Sequence, residues 1–202
     1  MRRLSASVAA ALLIATPAAA HDWRGFYVGG EAGFVSPEYR GDLTFSGVTL
    51  PLSVRASGFT AGAFAGANLM AGPWVYGAEV GASYSRAEDG ALGITAGIDW
   101  SGSAVARVGY AHDPLMPYAL LGISATRGYA KGPGGTDHET RYGLVMGAGL
   151  EHALNDRVRI RAEYRYTHGF GRSGVLLPGF TYSDQLDIHR VTVGVSFALG
   201  GY

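Results

Sequence analysis

Past residue 24 the chain alternates apolar side chains with polar or small ones at a period of two, in eight successive runs. The run at 158–167 is the clearest. Val158, Ile160, Ala162, Tyr164 and Tyr166 share one face, while Arg159, Arg161, Glu163 and Arg165 share the other. Successive side chains of a β-strand point to opposite sides, so this spacing predicts a strand with one greasy and one ionic face. A helix would scatter the charges all round. The closing run sets Val191, Val193, Val195, Phe197 and Leu199 against Thr192, Gly194 and Ser196. Near the start, Phe26, Val28, Ala32 and Phe34 oppose Tyr27, Gly29, Glu31 and Gly33. Trp74, Tyr76, Ala78, Val80, Ala82 and Tyr84 oppose Gly77, Glu79, Gly81 and Ser83. Comparable runs occupy 59–69, 100–110 and 142–150, and Tyr118, Leu120, Gly122 and Ser124 mark a weaker one. Most are about 9–11 residues long, the length that carries a tilted strand across a bilayer.

The connections carry a second signal. Those after the second, fourth and sixth runs are short (70–73, 111–115 and 151–157), whereas those after the odd-numbered runs are longer, with extremes at 35–57 and 167–189. Short turns at one end and long loops at the other are the plan of bacterial outer-membrane barrels. The expected fold is all-β: an eight-stranded antiparallel up-and-down transmembrane β-barrel. An even strand count brings both termini to the short-turn, periplasmic side.

Composition narrows the choice. Only 16% of the 202 residues are charged, against about 25% in ordinary soluble domains. Glycine fills 32 positions, without a collagen-like repeat, and 48% of the chain is hydrophobic, which excludes disorder. The absence of cysteine excludes disulfide scaffolds, thiolate zinc sites and cysteine nucleophiles. A balance of 16 basic and 16 acidic residues gives no reason to expect a nucleic-acid partner. Arg2 and Arg3, an apolar stretch at 4–15 and Ala18-Ala19-Ala20 form the pattern of a secretory signal peptide. Residues 1–20 are therefore read as a removed leader and 21–202 as a single barrel domain.

Other architectures fit less well. Residues 56–78 carry no charge over 23 positions, as a membrane helix would, but Gly58, Gly62, Gly66, Gly72, Pro73 and Gly77 would weaken a helix there. A soluble, lipocalin-like barrel would face the same greasy residues inward. Its outer surface would need far more charge than the glycine-rich opposite faces supply. Trp74, Tyr84, Trp100, Tyr110, Tyr118 and Tyr142 sit near run ends, where aromatic girdles belong. A soluble β-sandwich would leave sheet edges to protect and does not explain the loop asymmetry.

Several short motifs add a resemblance. Trp23-Arg24-Gly25-Phe26-Tyr27-Val28-Gly29-Gly30 resembles the opening of small alphaproteobacterial outer-membrane β-barrel proteins, a group of porin-like, eight-stranded surface proteins. The similarity continues in Arg107-Val108-Gly109-Tyr110, Gly147-Ala148-Gly149-Leu150-Glu151, Arg161-Ala162-Glu163-Tyr164-Arg165-Tyr166 and the run at 191–197. It implies outer-membrane residence, surface exposure, and a part in envelope integrity or small-solute passage. The final run also resembles the signal read by the barrel-assembly machinery, with Thr192, Gly194, Phe197 and Leu199 at its key positions. The chain then adds Gly200-Gly201-Tyr202, where an aromatic terminus is usual. Outer-membrane lipid and, during biogenesis, that machinery are the expected partners.

The chemistry lies on the polar faces. Glu31, Glu79 and Glu163 are expected to meet Arg107, Arg159, Arg161, Arg165 and Arg190 inside the barrel as an ionic network. A bare charge there would cost several kcal/mol, and an eight-stranded barrel is just wide enough to be filled by its own side chains. A structural plug is favoured over a narrow solute pathway. Among 16 basic residues only Lys131 is lysine, which suits planar, multidentate pairing by arginine. The histidines show no metal-ligand spacing, although His168 and His189 flank the last long loop and could meet at the rim. A lipid-modifying enzyme would need a nucleophile and base at the lipid face. Ser124 is the one serine read as outward, and no base shares its face. Gly132-Pro133-Gly134-Gly135 lacks the Lys and Ser/Thr of a phosphate loop. No catalytic residue, metal or cofactor is expected. Leu50, Leu52, Leu176 and Leu177 in the longest loops either pack on the rim or meet a surface partner.

Overall fold

The computed structural model describes residues 21–45, 48–91, 94–132, 135–177 and 180–199. Residues 1–20, read from the sequence as a leader, lie outside them, as do Pro133, Gly134 and the last three residues. The strands are β1 (Gly25–Phe45), β2 (Val48–Arg55), β3 (Gly58–Ala71), β4 (Trp74–Ala91), β5 (Ile94–Tyr110), β6 (Leu115–Gly132), β7 (Gly135–Ala153), β8 (Val158–Gly169), β9 (Arg172–Leu177) and β10 (Phe180–Leu199).

All ladders are antiparallel, and eight strands close into a barrel in the order β1-β3-β4-β5-β6-β7-β8-β10. The seam pairs β1 with β10 from Phe26 opposite Leu199 to Phe45 opposite Phe180. Closure leaves no open edge within the barrel wall, which is what makes a β-structure tolerable in hydrocarbon. β2 and β9 stand outside the ring and hairpin onto the extensions of β1 and β10.

That corrects the expected long loops. Residues 35–57 and 167–189 are chiefly strand: β1 runs on to Phe45 and turns into β2, and β9 turns into β10. The reason is the same alternation that marks the wall, since Val48, Leu50, Leu52 and Val54 keep a period of two beyond the apolar belt. At the opposite end the turns are as short as expected. Gly72, with φ of +59°, and Pro73 link β3 to β4; that backbone conformation is open to glycine at little cost.

The outer face is apolar. Phe26, Phe34, Leu69, Val80, Leu121, Ile123, Val191 and Val193 are all more than half exposed. Aromatics gather towards both ends of this belt, where Trp74 meets Tyr110 edge-on at 5.3 Å and Tyr84 lies 5.3 Å from Trp100. Tyr142 also points outward. Tyr118 does not belong to a girdle: it is 5% exposed and lies inside the barrel. β6 turns Tyr118, Leu120 and Ser124 inward, with Leu121 and Ile123 outward. Ser124 is therefore not a lipid-facing serine; the glycine and alanine content of β6 had blurred which face was greasy.

Two apolar layers cross the lumen. The first, reaching from the short-turn end to the level of the knot, packs Trp23, Val75, Val105, Met116, Tyr118, Leu120, Val145 and Ala153. The second packs Val35, Ala87, Ile98, Leu186 and Ile188, with Tyr39 against them.

Candidate functional site

Each wall strand that carries an inward charge does so because its period-two pattern places the greasy set outside. β1 supplies Glu31, β4 Glu79, β5 Arg107, β7 Glu151, β8 Arg159, Arg161, Glu163 and Arg165, and β10 Arg190. Most of these meet in one knot at the middle of the barrel.

Arg161 stands at the centre. Its Nη1 donates to Glu79 Oε2 at 2.7 Å and its Nη2 to Glu31 Oε2 at 2.6 Å. Arg165 donates to the other oxygen of Glu79 at 2.8 Å, to Glu163, and to Ser103 Oγ at 3.1 Å. Arg107 forms a fork with Glu151, at 2.7 and 3.2 Å, and reaches Asn68 Oδ1 at 3.2 Å. Charge-assisted, two-pronged pairs of this kind are the strongest that side chains make. Arg107, Glu79, Glu151, Arg161 and Glu163 are each no more than 2% exposed at the side chain, so none of this is screened by bulk water.

Aromatic rings hold the guanidiniums in place. Arg107 lies between Tyr27 and Tyr118, 4.9 Å from each ring centre. The two phenols donate to Glu79 at 3.0 Å and Glu163 at 2.6 Å. Arg161 lies 3.4 Å from the centre of Phe64, and Arg159 lies 4.8 Å from that of Trp23 while donating to the Asp22 carbonyl at 3.1 Å. Inner-face glycines make room for this packing. A Cβ on Gly66 would strike the Tyr27 ring, one on Gly149 the Tyr118 ring, and one on Gly29 the Phe64 ring.

The residues picked out from the sequence divide as follows. Glu31, Glu79, Arg107, Arg161, Glu163 and Arg165 share the knot. Arg159 lies at the short-turn end against Trp23, and Arg190 lines a polar cavity beyond the knot. Glu151, Asn68, Tyr27 and Tyr118 also belong to the knot, and the sequence pattern alone does not single them out. Glu151 ends a glycine-rich run and reads as a turn residue. Its place on the inner face, two positions beyond Gly149, was the available signal.

Of the assembly-signal residues, Thr192 is buried inward and Phe197 and Leu199 face outward. Gly194 has a packing reason of its own, since a Cβ there would come within 2.9 Å of the Gly30 carbonyl and 3.4 Å of Arg161. His168 and His189 lie on the outer face of neighbouring strands but bond elsewhere. His168 Nδ1 is 3.0 Å from Asp187, and His189 Nδ1 is 2.8 Å from the Tyr164 hydroxyl. Among the described residues, no three His, Cys, Asp or Glu side chains group as metal ligands.

The closed barrel agrees with the comparisons with known proteins. The family model described as the outer membrane protein beta-barrel domain matches residues 5–198. The chain belongs to that family. It is 38% identical over 147 residues to the 25 kDa outer-membrane immunogenic protein of Brucella abortus, covering 72% of this chain and 68% of that one. It is 28% identical over 176 residues to the 22 kDa outer membrane protein of Rhizobium leguminosarum, covering 87% and 78%. The solved barrel of Neisserial surface protein A superposes with a TM-score of 0.54 at 19% identity, covering 87% of this chain and 97% of that one. Family membership puts this protein in the outer membrane of a Gram-negative envelope.

Proposed function

We propose that this family member is a sealed, structural barrel whose task is envelope integrity and display of a surface, without catalysis. The observation that carries this reading is the filled lumen: an ionic knot lies between two apolar layers. A hydrated ion following the axis would meet Trp23 and Met116, then the knot, then Ile98 and Ile188. The β1–β2 and β9–β10 hairpins project at the end opposite the short turns and offer the contact surface for a partner. The Brucella relatives are named immunogenic, which supports exposure of that end to the outside. Both termini then lie on the periplasmic side. A non-enzymatic role is supported by Ser124, which is buried in the lumen with no hydrogen-bond partner for its hydroxyl among the described residues. Outer-membrane lipid around the apolar belt and the assembly machinery at β10 are the partners proposed.

Reconstitution into a planar bilayer, with strand content measured on the same sample, tests the sealed lumen. The expected result is full β-structure without steady single-channel current. Large, steady currents would overturn it in favour of a narrow, porin-like channel. An epitope tag inserted between Phe45 and Val48 is expected to bind antibody on intact cells. Labelling only after the outer membrane is opened would overturn the surface role.

A further inference from the structure

Residues 21–24 precede β1 and cross the short-turn mouth of the barrel. β1 and β6 face each other across the ring, with three strands between them on either side. The chain leading into β1 nevertheless reaches the turn before β6, where the His21 backbone nitrogen donates to Asp113 Oδ1 at 2.7 Å. This strap is fastened along its length. Trp23 is fully buried in the first apolar layer. Its carbonyl accepts from Asn68 at 3.0 Å, and its N–H donates to Met70 Sδ at 3.3 Å. Arg159 donates to the Asp22 carbonyl at 3.1 Å, and the His21 ring stands edge-on to Trp23 at 4.9 Å.

The free end of the strap lies among carboxylates that lack counterions. Asp22, Asp113 and Asp156 all act electrostatically on His21, with Arg159 opposing them. Arg24 is spent on Asp22, which it grips at 2.9 Å through Nε and again through Nη2. Arg159 is turned to the Trp23 ring and the Asp22 carbonyl. Among the described residues, neither Asp113 nor Asp156 forms an ion pair, and the His21 nitrogen is the hydrogen-bond partner of the Asp113 carboxylate. The His21 ring does not supply the charge, because burial holds its imidazole below the ordinary value and so neutral. A peptide nitrogen at this place offers one donor and no charge. The leader pattern at 1–20, however, ends in Ala18-Ala19-Ala20, directly before this same nitrogen.

We propose that cleavage between Ala20 and His21 creates the missing cation, and that the new His21 α-ammonium pairs with Asp113 to latch residues 21–24 across the mouth of the lumen. Hydrolysis breaks the Ala20–His21 C–N bond. Water supplies the oxygen of the Ala20 carboxylate and a hydrogen to the amine, which takes up a proton near neutral pH. A positive charge thus appears on the atom that already touches Asp113, and a charge-assisted bond is about twice as strong as a neutral one. A chain beginning one residue earlier would carry its ammonium up to about 3.8 Å away and leave an amide against the carboxylate. The latch rests on the reading of 1–20 as a removed leader.

Intact mass of the protein exported to the outer membrane tests the cleavage, and a chain starting at His21 is expected. The pairing is tested on two chains refolded in detergent, one beginning at His21 and one at Ala20. Trace acetylation at a series of pH values reads the α-amine, with Lys131, the only lysine, as internal reference. In the chain that begins at His21, the α-amine midpoint should lie about half a unit above the ordinary value of about 7.7–8.0, a roughly three-fold change of the size that an exposed ion pair gives. Asp113→Asn in that chain, and the chain that begins at Ala20, should both return to the ordinary range. Hydrogen exchange of the amides at 22–24 should be several-fold faster in those two, with β8 unchanged. An ordinary midpoint in the His21 chain overturns the pairing, as does a raised one that survives Asp113→Asn. A mass that places the start elsewhere overturns the cleavage, so the leader and the latch fail by different measurements.

Discussion

Replacing Arg107 by methionine tests whether the lumen knot holds the barrel together. The side chain is 2% exposed, grips Glu151 with two donors, lies 3.7 Å from Glu79, and is sandwiched by two tyrosines. Arg107→Met leaves the Glu151 carboxylate, 1% exposed, without its partner. Breaking a buried ion pair from one side destabilises by about 3–5 kcal/mol, mostly through the stranded charge. Losing two cation–π contacts removes about 1–2 kcal/mol more, of which sulfur–aromatic contact restores a part. A loss of about 4 kcal/mol lowers the folding equilibrium constant roughly a thousand-fold. Equilibrium urea unfolding of the barrel in lipid vesicles, followed by tryptophan fluorescence and by gel mobility, reads this directly. The double variant Arg107→Met/Glu151→Leu removes both charges, and it should recover about half of the loss or more, because an apolar pair of similar volume often replaces a buried ion pair without penalty. If Arg107→Met unfolds within about 0.5 kcal/mol of the parent, a range typical of surface changes, the knot is not a stabilising element. If the double variant is no better than the single one, the stranded-charge reasoning is wrong.

Three further outcomes are expected. Gly66→Val drives a side chain into the Tyr27 ring and should destabilise by about 2–3 kcal/mol, whereas Gly30→Ala, whose nearest neighbour is 3.7 Å away, should change urea stability little. Val193→Arg places a charge on the 65%-exposed outer face; in lipid vesicles this should cost about 2–4 kcal/mol if the site lies near mid-bilayer, whereas a barrel surrounded by water would tolerate it. His21 lies outside the wall strands, 4.9 Å from Trp23 edge-on, and burial, aided by Arg159, holds its imidazole below the ordinary value. The folded state thus prefers the neutral ring, so its contribution is present above about pH 6.5 and is lost as pH falls towards the depressed value. An NMR titration in micelles should give a midpoint below the free-histidine value, and His21→Phe should remove the matching step from Trp23 fluorescence. A midpoint at or above that of free histidine refutes the packing.

The barrel was legible because hydrocarbon enforces one rule at every outward position, so β8 and β10 declare their faces at sight. β6 did not, because Tyr118 and Leu121 are both apolar and only one of them faces lipid. Without a charge on either face over 115–126, alternation there has no sign. The hairpins β2 and β9 read as loops when strand length is tied to bilayer thickness, whereas pairing continues wherever the pattern continues. In the site, arginines and glutamates on alternating runs could be read singly. Their partners could not, since Arg107 of β5 chooses Glu151 of β7 through barrel curvature and strand stagger, which no local spacing encodes. Tyr27 and Tyr118 were hidden for a further reason: their ring positions depend on Gly66 and Gly149 of neighbouring strands, so each pair is visible only after register is known.

The seam has a consequence for the order in which this protein comes into being. Phe26 finds Leu199 only after β10 has been made, and Glu31 waits for Arg161 of β8. Until the last strand arrives, the first has an unbonded rim and an acidic group without its counterion, both intolerable in oil. The molecule must therefore be kept from the membrane interior as an incomplete sheet, then locked in a single late act. Truncation at the far end should abolish insertion altogether, leaving no smaller, weaker version of the same object.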